Sequence, residues 1–278
     1  MIHIFTALAC EAMPLVKHFK LKEQNQYDLF RIFLSADNHV SLVITGVGKS
    51  LAAAAVSYHH ACCNTSPADV WLNIGIAGHA DLPLGEACLV NKITDAASGA
   101  TWYPQVLFDA PCPVLPLRTL DTPSEDYQPI LYDMEAAGFY ALASRLGTSE
   151  LIHCLKIVSD NAQSHSGNVK AKLVKGYIES QLATMDRIVS VLHGFSHELE
   201  NTLALPPAYE EIITRWHFTR TQKIQLRECL RRWQSLQDEV EALQYIQAAD
   251  SARSVLRLLG DALSSVPFTL NSRSTVQQ

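Results

Sequence analysis

Three acidic residues stand at points of the sequence where binding or catalysis is expected. Glu135 opens an apolar helix that is rich in small residues, and it directly follows Met134. Glu11 and Asp160 each follow a short apolar run that predicts a buried strand. A carboxylate placed where a strand gives way to a helix lies where open α/β sheets bind their ligands. Asp160 could equally be a helix N-cap after its strand, and an N-cap residue can also be catalytic.

The Met134-Glu135 pair has the chemistry to hold a sugar. A thioether beside a carboxylate offers an apolar contact next to a strong hydrogen-bond acceptor. A sugar presents the matching surface, a carbon face beside vicinal hydroxyls. A Glu in a first helical turn also suits the helix dipole, so the pair gains its meaning from the other two acids.

The composition predicts a folded, soluble protein. The 278 residues are 48% apolar and 18% charged, which allows a buried core and excludes a disordered chain. The net charge of −6 lacks the basic footprint of a general nucleic-acid-binding protein. Seven cysteines without framework spacing indicate reduced thiols, so we expect a cytoplasmic protein. We find no signal peptide and no apolar run of the ~20 residues that would span a membrane.

Alternating strand and helix patterns predict an α/β domain over residues 1–200. The predicted strands cover residues 2–9, 28–34, 40–45, 70–75 and 152–158, and residues 84–91 predict a turn followed by a strand. The predicted helices include residues 12–20 and 51–58. Pro14 would lie in the first turn of the first helix, where its missing N–H costs nothing. Six prolines between residues 99 and 130 predict loops that flank or cover the pocket.

Two glycine-rich segments follow predicted strands. Gly46-Val47-Gly48-Lys49-Ser50 is similar to a P-loop, but the Walker pattern requires a glycine at the position of Val43. The segment therefore predicts a tight turn into a helix. At Gly75-Ile76-Ala77-Gly78 we expect a turn whose exposed backbone amides can bind hydroxyl groups.

No metal or cofactor site is predicted. His59, His60, Cys62 and Cys63 have helical spacing, but nothing downstream completes a zinc site. We expect a helix end with buried thiols and solvated imidazoles.

Residues 205–278 predict a separate helical extension. Apolar residues at three- and four-residue steps predict one stripe on a long helix, and they are Leu226, Leu230, Trp233, Leu236, Val240 and Leu243. A basic row occupies another face of that helix, at Arg220, Lys223, Arg227 and Arg231. The row is typical of a solvated surface, with a nucleic-acid or anion site as the alternative. The stripe should pack on the main domain or on a partner chain, and the polar tail after Leu270 should fray.

Five short segments, taken in order, resemble the purine nucleoside phosphorylase/uridine phosphorylase superfamily. The closest branch is the 5′-methylthioadenosine/S-adenosylhomocysteine nucleosidases and their relatives. The likeness covers residues 1–197 and rests on Glu11 after its strand, Thr45-Gly46-Val47-Gly48-Lys49, Asn73-Ile74-Gly75-Ile76-Ala77-Gly78, Asp133-Met134-Glu135-Ala136 and Val158-Ser159-Asp160. It implies a three-layer phosphorylase/hydrolase-like α/β fold with a central mixed sheet, extended here by the all-α C-terminal part.

The resemblance also implies a role for each candidate residue. Glu135 would accept hydrogen bonds from the ribose 2′- and 3′-hydroxyls, with Met134 packed under the sugar. Asp160 would protonate or hydrogen-bond purine N7, and Glu11 would activate the attacking water. The remaining pocket residues would be Ile76, Ala77, Gly78 and Ser159.

Two departures from the family pattern favour water over phosphate as the nucleophile. Phosphorolysis needs cationic donors, typically an Arg after the first strand, and Ala9-Cys10-Glu11-Ala12 contains none. Ile76 also replaces the hydroxyl residue of the family's glycine-rich loop. We therefore predict a purine-nucleoside N-ribosyl hydrolase of the adenosine type, without cofactor and homodimeric. The alternatives are a phosphorylase and a catalytically inactive nucleoside-binding or scaffold protein.

Overall fold

The protein consists of an α/β unit followed by a helical unit. The structure, a computed structural model, describes residues 1–124, 126, 128–165, 167, 169–206, 208–236 and 242–265. The chain divides into two compact units, Met1–Thr202 and Leu203–Gln278. The predicted fold class, α/β with an all-helical C-terminal extension, is confirmed.

A mixed sheet forms the centre of the first unit. Its strands, within the described residues, are β1 (Ile2–Thr6), β2 (Lys22–Glu23), β3 (Arg31–Leu34), β4 (Val40–Ile44), β5 (Val70–Gly78), β6 (Ala87–Asp95), β7 (Thr101–Trp102), β8 (Val114–Thr119), β9 (Leu131–Asp133) and β10 (Ile152–Asp160). Strand β1 pairs in parallel with β4 and β5, and β5 pairs in parallel with β10. Five strands close into a ring. Its further pairs are antiparallel for β10–β6 and β5–β9 and parallel for β6–β8 and β8–β9.

Helices cover both faces of this sheet. They are α1 (Ala9–His18), α2 (Lys49–Cys62), α3 (Ala136–Ala143), α4 (Ala171–Ser180) and α5 (Leu182–Leu203). The side chains of β1 alternate between the faces, so Phe5 joins a core with α2 and α3 while Ile4 joins one with α1, α4 and α5. A Cβ on Gly138 would lie 1.9 Å from the Lys49 carbonyl oxygen, so α3 can approach α2 this closely only with glycine there.

Three sequence predictions about these elements are wrong. Helix α1 begins at Ala9 rather than residue 12, so Pro14 lies inside it and not in its first turn. Strand β5 runs on to Gly78, so residues 75–78 are strand and not a turn. The proline-rich stretch 99–130 contains β7 and β8, and Pro116 lies within β8.

The second unit has a core of its own. Its helices are α6 (Ala208–Arg215), α7 (Arg220–Leu236), α8 (Ala242–Tyr245) and α9 (Ala252–Ser265). Leu226, Leu230 and Trp233 are buried in this core, and Leu243 packs against it. The stripe therefore packs inside its own unit, and the predicted packing on the main domain or on a partner chain is wrong for these residues. Whether one long helix carries the stripe lies outside the described residues, because 237–241 separate α7 from α8. Of the remaining stripe residues, the side chain of Leu236 and all of Val240 lie outside the described residues, as does the tail after Leu270.

Half of the predicted basic row makes contacts inside the second unit. The Arg227 guanidinium lies 5.2 Å from the centre of the Tyr209 ring, and Arg231 donates a hydrogen bond to the Leu203 carbonyl at 2.8 Å. Arg220 and Lys223 are exposed. Among the described helices of both units, none is long and apolar enough to cross a membrane.

A buried polar cluster joins β1, β4 and α2. Asp69 and Ser41 hydrogen-bond the two ring nitrogens of His3 at 3.1 and 2.8 Å, and Ser41 also lies 3.1 Å from Nε2 of His59. Both imidazoles are fully buried, so the predicted solvated imidazole is wrong for His59. Cys62 is exposed, so the predicted buried thiol is wrong there too.

This cluster predicts acid-dependent stability. Burial and, to a smaller extent, the nearby His3 lower the pKa of His59 from 6.5 to about 3. Below pH 6.5 the unfolded chain therefore binds a proton that the folded chain excludes, which reduces the free energy of unfolding by about 1.4 kcal/mol per pH unit. We expect the stability advantage of wild type over His59→Gln to shrink by about 2 kcal/mol between pH 8 and pH 5 in urea denaturation. For His60→Gln, at the exposed neighbouring position, the difference in free energy of unfolding from wild type should stay constant over this pH range. A constant difference for His59→Gln would contradict the prediction.

Candidate active site

All eight predicted site residues line one cavity of the first unit. The cavity has a volume of about 200 Å³ and lies where β1, β5, β9 and β10 end. The predicted residues in its wall are Glu11, Ile76, Ala77, Gly78, Met134, Glu135, Ser159 and Asp160. The proline-rich stretch that we expect to flank the pocket does so through Leu120, Thr122, Pro123 and Ser124. Sequence reasoning missed further lining residues, which are Ala7, Leu8, Val47, Tyr132, Asp133 and Val169.

Glu11 is held rigidly by three backbone amides. Its Oε2 accepts the N–H groups of Ala7 and Leu8 at 2.9 and 2.8 Å, and its Oε1 accepts that of Ile76 at 2.9 Å. Because α1 starts at Ala9, Glu11 stands in the first helical turn and satisfies amides that a helix start leaves free. Burial raises the pKa of the Glu11 carboxyl, although the amides and the Lys156 charge lower it. Gly75 leaves room for this carboxylate, because a Cβ there would lie 3.0 Å from Oε1.

Glu135 is a buried carboxyl that titrates near neutrality. It precedes α3, and its Oε1 accepts the Gly48 N–H at 2.8 Å. Burial and the neighbouring Asp133 carboxylate raise its pKa to about 7, while Lys156 and the Gly48 amide act in the opposite direction. The glycine turn after β4 thus contributes a hydrogen bond to the site.

A buried ion pair lies behind these carboxylates. Lys156 Nζ lies 2.8 Å from Asp133 Oδ2 and donates to Asn73 Oδ1 at 2.6 Å. The other contacts of Asp133 are the Thr119 hydroxyl at 2.7 Å and the Ala136 N–H at 2.8 Å. Burial lowers the pKa of Lys156, but the Asp133 and Glu135 carboxylates outweigh it and raise that pKa, so the ammonium stays charged. The available sequence signal was a lysine within the apolar strand 152–158, because a buried lysine needs an acidic partner.

Asp160 belongs to the end of β10. The residues that directly follow it, 161–164, form a bridge and a turn rather than a helix, so the alternative of a helix N-cap is wrong. The Ser159 hydroxyl donates to Asp160 Oδ1, and the Asp160 carbonyl accepts the N–H of His79 at 3.1 Å. Both residues are buried while still contacting the cavity.

The glycine-rich end of β5 does not offer a row of free amides. The Ile76 N–H is taken by Glu11, and Gly78 pairs with Tyr132 of β9. His79 stabilises the turn that follows, because its Nδ1 accepts the N–H groups of Asp81 and Leu82 at 3.1 and 3.2 Å. The expected hydroxyl-binding turn is therefore absent from this described segment, and Ile76, Ala77 and Gly78 act as wall.

The cavity is acidic and lacks cationic groups in its described wall. Its acidic lining residues are Glu11, Asp133, Glu135 and Asp160. Within the part of the chain that the structure describes, no cluster of His, Cys, Asp and Glu has the geometry of a metal site. His59, His60, Cys62 and Cys63 form none either.

Comparison with known proteins identifies the fold. No protein-family model and no curated protein sequence matches the chain. The chain is similar to the solved 5′-methylthioadenosine nucleosidase of Arabidopsis thaliana, with 16% identity, a TM-score of 0.58 and coverage of 69% of this chain and 96% of that one. It is also similar to 5′-methylthioadenosine/S-adenosylhomocysteine nucleosidase of Helicobacter pylori, with 12% identity, a TM-score of 0.56 and coverage of 68% and 97%.

A third similar structure is the futalosine hydrolase of Helicobacter pylori strain 26695, with 12% identity, a TM-score of 0.56 and coverage of 68% and 97%. At these identities the likeness establishes the fold, and activity has to be argued from the site. The chain has the nucleosidase fold that its sequence motifs predict.

The buried ion pair predicts strong coupling between Lys156 and Asp133. Removing either partner leaves the other charge buried, so Lys156→Met and Asp133→Asn should each lower the free energy of unfolding by about 3–5 kcal/mol. The double variant should lose clearly less than the sum of the two, as measured by urea denaturation. The matched control is the exposed pair Lys175 and Glu179, 3.8 Å apart, whose removal should cost less than about 0.5 kcal/mol. Additive losses for the buried pair would contradict the prediction.

Proposed function

We propose that this protein is an N-ribosyl hydrolase that cleaves the N-glycosidic bond of an adenosine-type nucleoside with water. The observation that carries the proposal is the convergence of Glu11, Glu135 and Asp160 on one small cavity. The fold supports it, because the similar structures named above include nucleosidases of methylthioadenosine and a futalosine hydrolase.

Glu135 and Met134 would bind the sugar. An ionised carboxylate accepts hydrogen bonds from two vicinal hydroxyls, and its Oε1 is already oriented by the Gly48 amide. Met134 offers the apolar contact beneath the ring. Because the pKa of Glu135 is about 7, part of the protein carries a protonated Glu135 at neutral pH. Ribose binding selects the anionic form, so those molecules release a proton when the ligand binds.

Asp160 would serve the leaving base. Cleavage breaks the C1′–N9 bond and leaves both bonding electrons on the purine, which departs readily only when N7 receives a proton or a strong hydrogen bond. The sugar becomes an oxocarbenium-like centre, which the nearby carboxylates stabilise electrostatically. Ser159 orients the Asp160 carboxyl through its hydroxyl.

Glu11 would activate the water. Three amides fix its carboxylate, and Oε1, which accepts only the Ile76 N–H, keeps a lone pair for a further hydrogen bond. Its raised pKa makes it a stronger base than an exposed glutamate. The water oxygen bonds to C1′ and its proton passes to Glu11, which then releases it to solvent. The proton that Asp160 gives to the base is replaced from solvent.

Water is favoured over phosphate by the charge of the cavity. A phosphate dianion among four acidic residues needs cationic donors, and none lines the described wall. The cation behind the wall, Lys156, is already paired with Asp133.

The reaction type predicts a simple product pattern. With an adenosine-type nucleoside the protein should release free base and free sugar at a rate that does not depend on phosphate, as measured by chromatography of both products. Formation of a sugar 1-phosphate would identify a phosphorylase. Nucleoside binding without turnover would support the scaffold alternative.

The assigned roles predict large losses of turnover. Asp160→Asn and Glu135→Gln should each lower kcat/KM by about 10²–10⁴-fold, because each removes a proton donor or an acceptor of charge. The matched control is Glu179→Gln, which makes the same chemical change at a half-exposed site on α4 and should leave kcat/KM within twofold. Near-normal turnover in Asp160→Asn, with unfolding unchanged, would remove that residue from the mechanism.

The pKa of Glu135 predicts a pH dependence. In the free enzyme kcat/KM should fall as the pH drops through about 7, because protonated Glu135 loses part of its capacity to accept the ribose hydroxyls. Calorimetry at pH 7 in buffers of different ionisation enthalpy should detect proton release when a nucleoside binds to wild type and none with Glu135→Gln. A profile that falls only near pH 4–5 would contradict the assignment.

The assembly and location belong to the same proposal. We take the ligand to be a small nucleoside and the protein to act as a cytoplasmic homodimer, and sedimentation analysis tests the dimer directly.

A further inference from the structure

We propose that Lys49 is a positioning residue that holds the segment Leu120–Ser124 in place as a wall of the nucleoside cavity. The inference rests on the proposed function for its kinetic consequences, but its structural consequence can be measured without turnover. It assigns a role to the P-loop-like turn at residues 46–49.

The backbone around Lys49 is fixed on three sides. Gly46 and Gly48 have φ angles of +82° and +107°, which glycine adopts without strain. The Gly46 N–H donates to the Ala7 carbonyl at 3.1 Å, and the Gly48 N–H donates to Glu135. The Lys49 carbonyl lies directly against Gly138. The lysine side chain therefore starts from a fixed point beside the cavity.

The Lys49 ammonium joins two carboxylates on different segments. Its Nζ lies 2.7 Å from Asp95 Oδ1 and 2.8 Å from Asp121 Oδ1. Asp95 ends β6 and is itself anchored, because its backbone N–H donates to the Ala100 carbonyl and its carboxylate accepts the Ser98 hydroxyl. Asp121 is 59% exposed and belongs to the segment after β8. Lys49 thus connects the exposed Asp121 to the anchored Asp95 through two ion pairs.

The tied segment forms part of the cavity wall. Leu120, Thr122, Pro123 and Ser124 line the cavity on both sides of Asp121. Its start is fixed by the Leu120 N–H, which donates to the Asp133 carbonyl at 2.8 Å. Beyond Leu120, the Asp121–Lys49 ion pair connects this wall to the end of β6.

The arrangement also excludes a phosphate-binding role for this lysine. Hydrogen bonds to Asp121 and Asp95 raise the pKa of Lys49, so it stays charged and paired with carboxylates. An anion would have to displace both partners.

Kinetics provides the first arm of the test, with Lys49→Met and Lys49→Arg. The ion pair is partly exposed, so its loss in Lys49→Met should raise the KM for an adenosine-type nucleoside about fivefold. The kcat should stay within twofold, because Glu11, Glu135 and Asp160 are held by other groups. Lys49→Arg keeps a cation in reach of both carboxylates and should restore most of the affinity. As a control, Lys175→Met removes the exposed ion pair with Glu179, which does not line the cavity, and should change neither KM nor kcat.

Hydrogen exchange provides the second arm and needs no activity. Amide exchange in peptides that contain Asp121, Thr122 and Ser124 should accelerate about fivefold in Lys49→Met and Asp121→Asn, while peptides of β5 stay protected. Unchanged exchange in the 120–124 segment would overturn the proposal whether or not the protein is a hydrolase. A kcat loss at unchanged KM would also overturn it, because Lys49 would then act on the reacting groups. If wild type released no base, the proposed function would fail while the exchange result still decided the role of Lys49.

Discussion

The buried ion pair between Lys156 and Asp133 is the interaction on which the site depends. Burying one unpaired charge costs several kcal/mol, and here the ammonium lies behind a group of carboxylates that includes Glu11 and Glu135. The ammonium donates a hydrogen bond to Asn73 and forms the ion pair with Asp133. The Asp133 carboxylate also accepts hydrogen bonds from the Thr119 hydroxyl and the Ala136 N–H. Burial and the charge of Asp133 together raise the pKa of Glu135 to about 7, against the opposing charge of Lys156. The ion pair between Lys156 and Asp133 and the titration of Glu135 therefore depend on the same group of interacting charges.

Close backbone approach is the second constraint. Gly75 lies against the Glu11 carboxylate and Lys156, and Gly138 brings the start of α3 against the start of α2. The contact of α3 with α2 places the Gly48 amide on Glu135. A side chain at Gly75 would push the Glu11 carboxylate away from β5, and one at Gly138 would push α3 away from α2. Either change would disturb the hydrogen bonds of Glu11 or Glu135. The geometry of the cavity is a consequence of how closely a strand and two helix starts can pack.

Much of the fold and of the site could be predicted because both follow short-range rules. Apolar runs identified six of the ten described strands and missed β2, β7, β8 and β9. The acids at strand ends and at a helix start lie in one cavity. The extra turn of α1 could not be predicted from periodicity, because Glu11 stabilises the helix start by bonding backbone amides at residues 7 and 8. The extension of β5 through Gly78 depends on pairing with β9 and β10, which no local pattern reports. The roles of Lys156 and Lys49 depend on acids distant in sequence, so only the folded chain reveals them.

The most direct measurement is a crystal structure of the Asp160→Asn variant with an intact adenosine-type nucleoside. The account predicts ribose hydroxyls within hydrogen-bond distance of Glu135, purine N7 facing residue 160, and a water on Glu11 beside C1′. A nucleoside bound outside this cavity, or bound in it with the base turned away from residue 160, would contradict the central claim that the three acids act on one substrate.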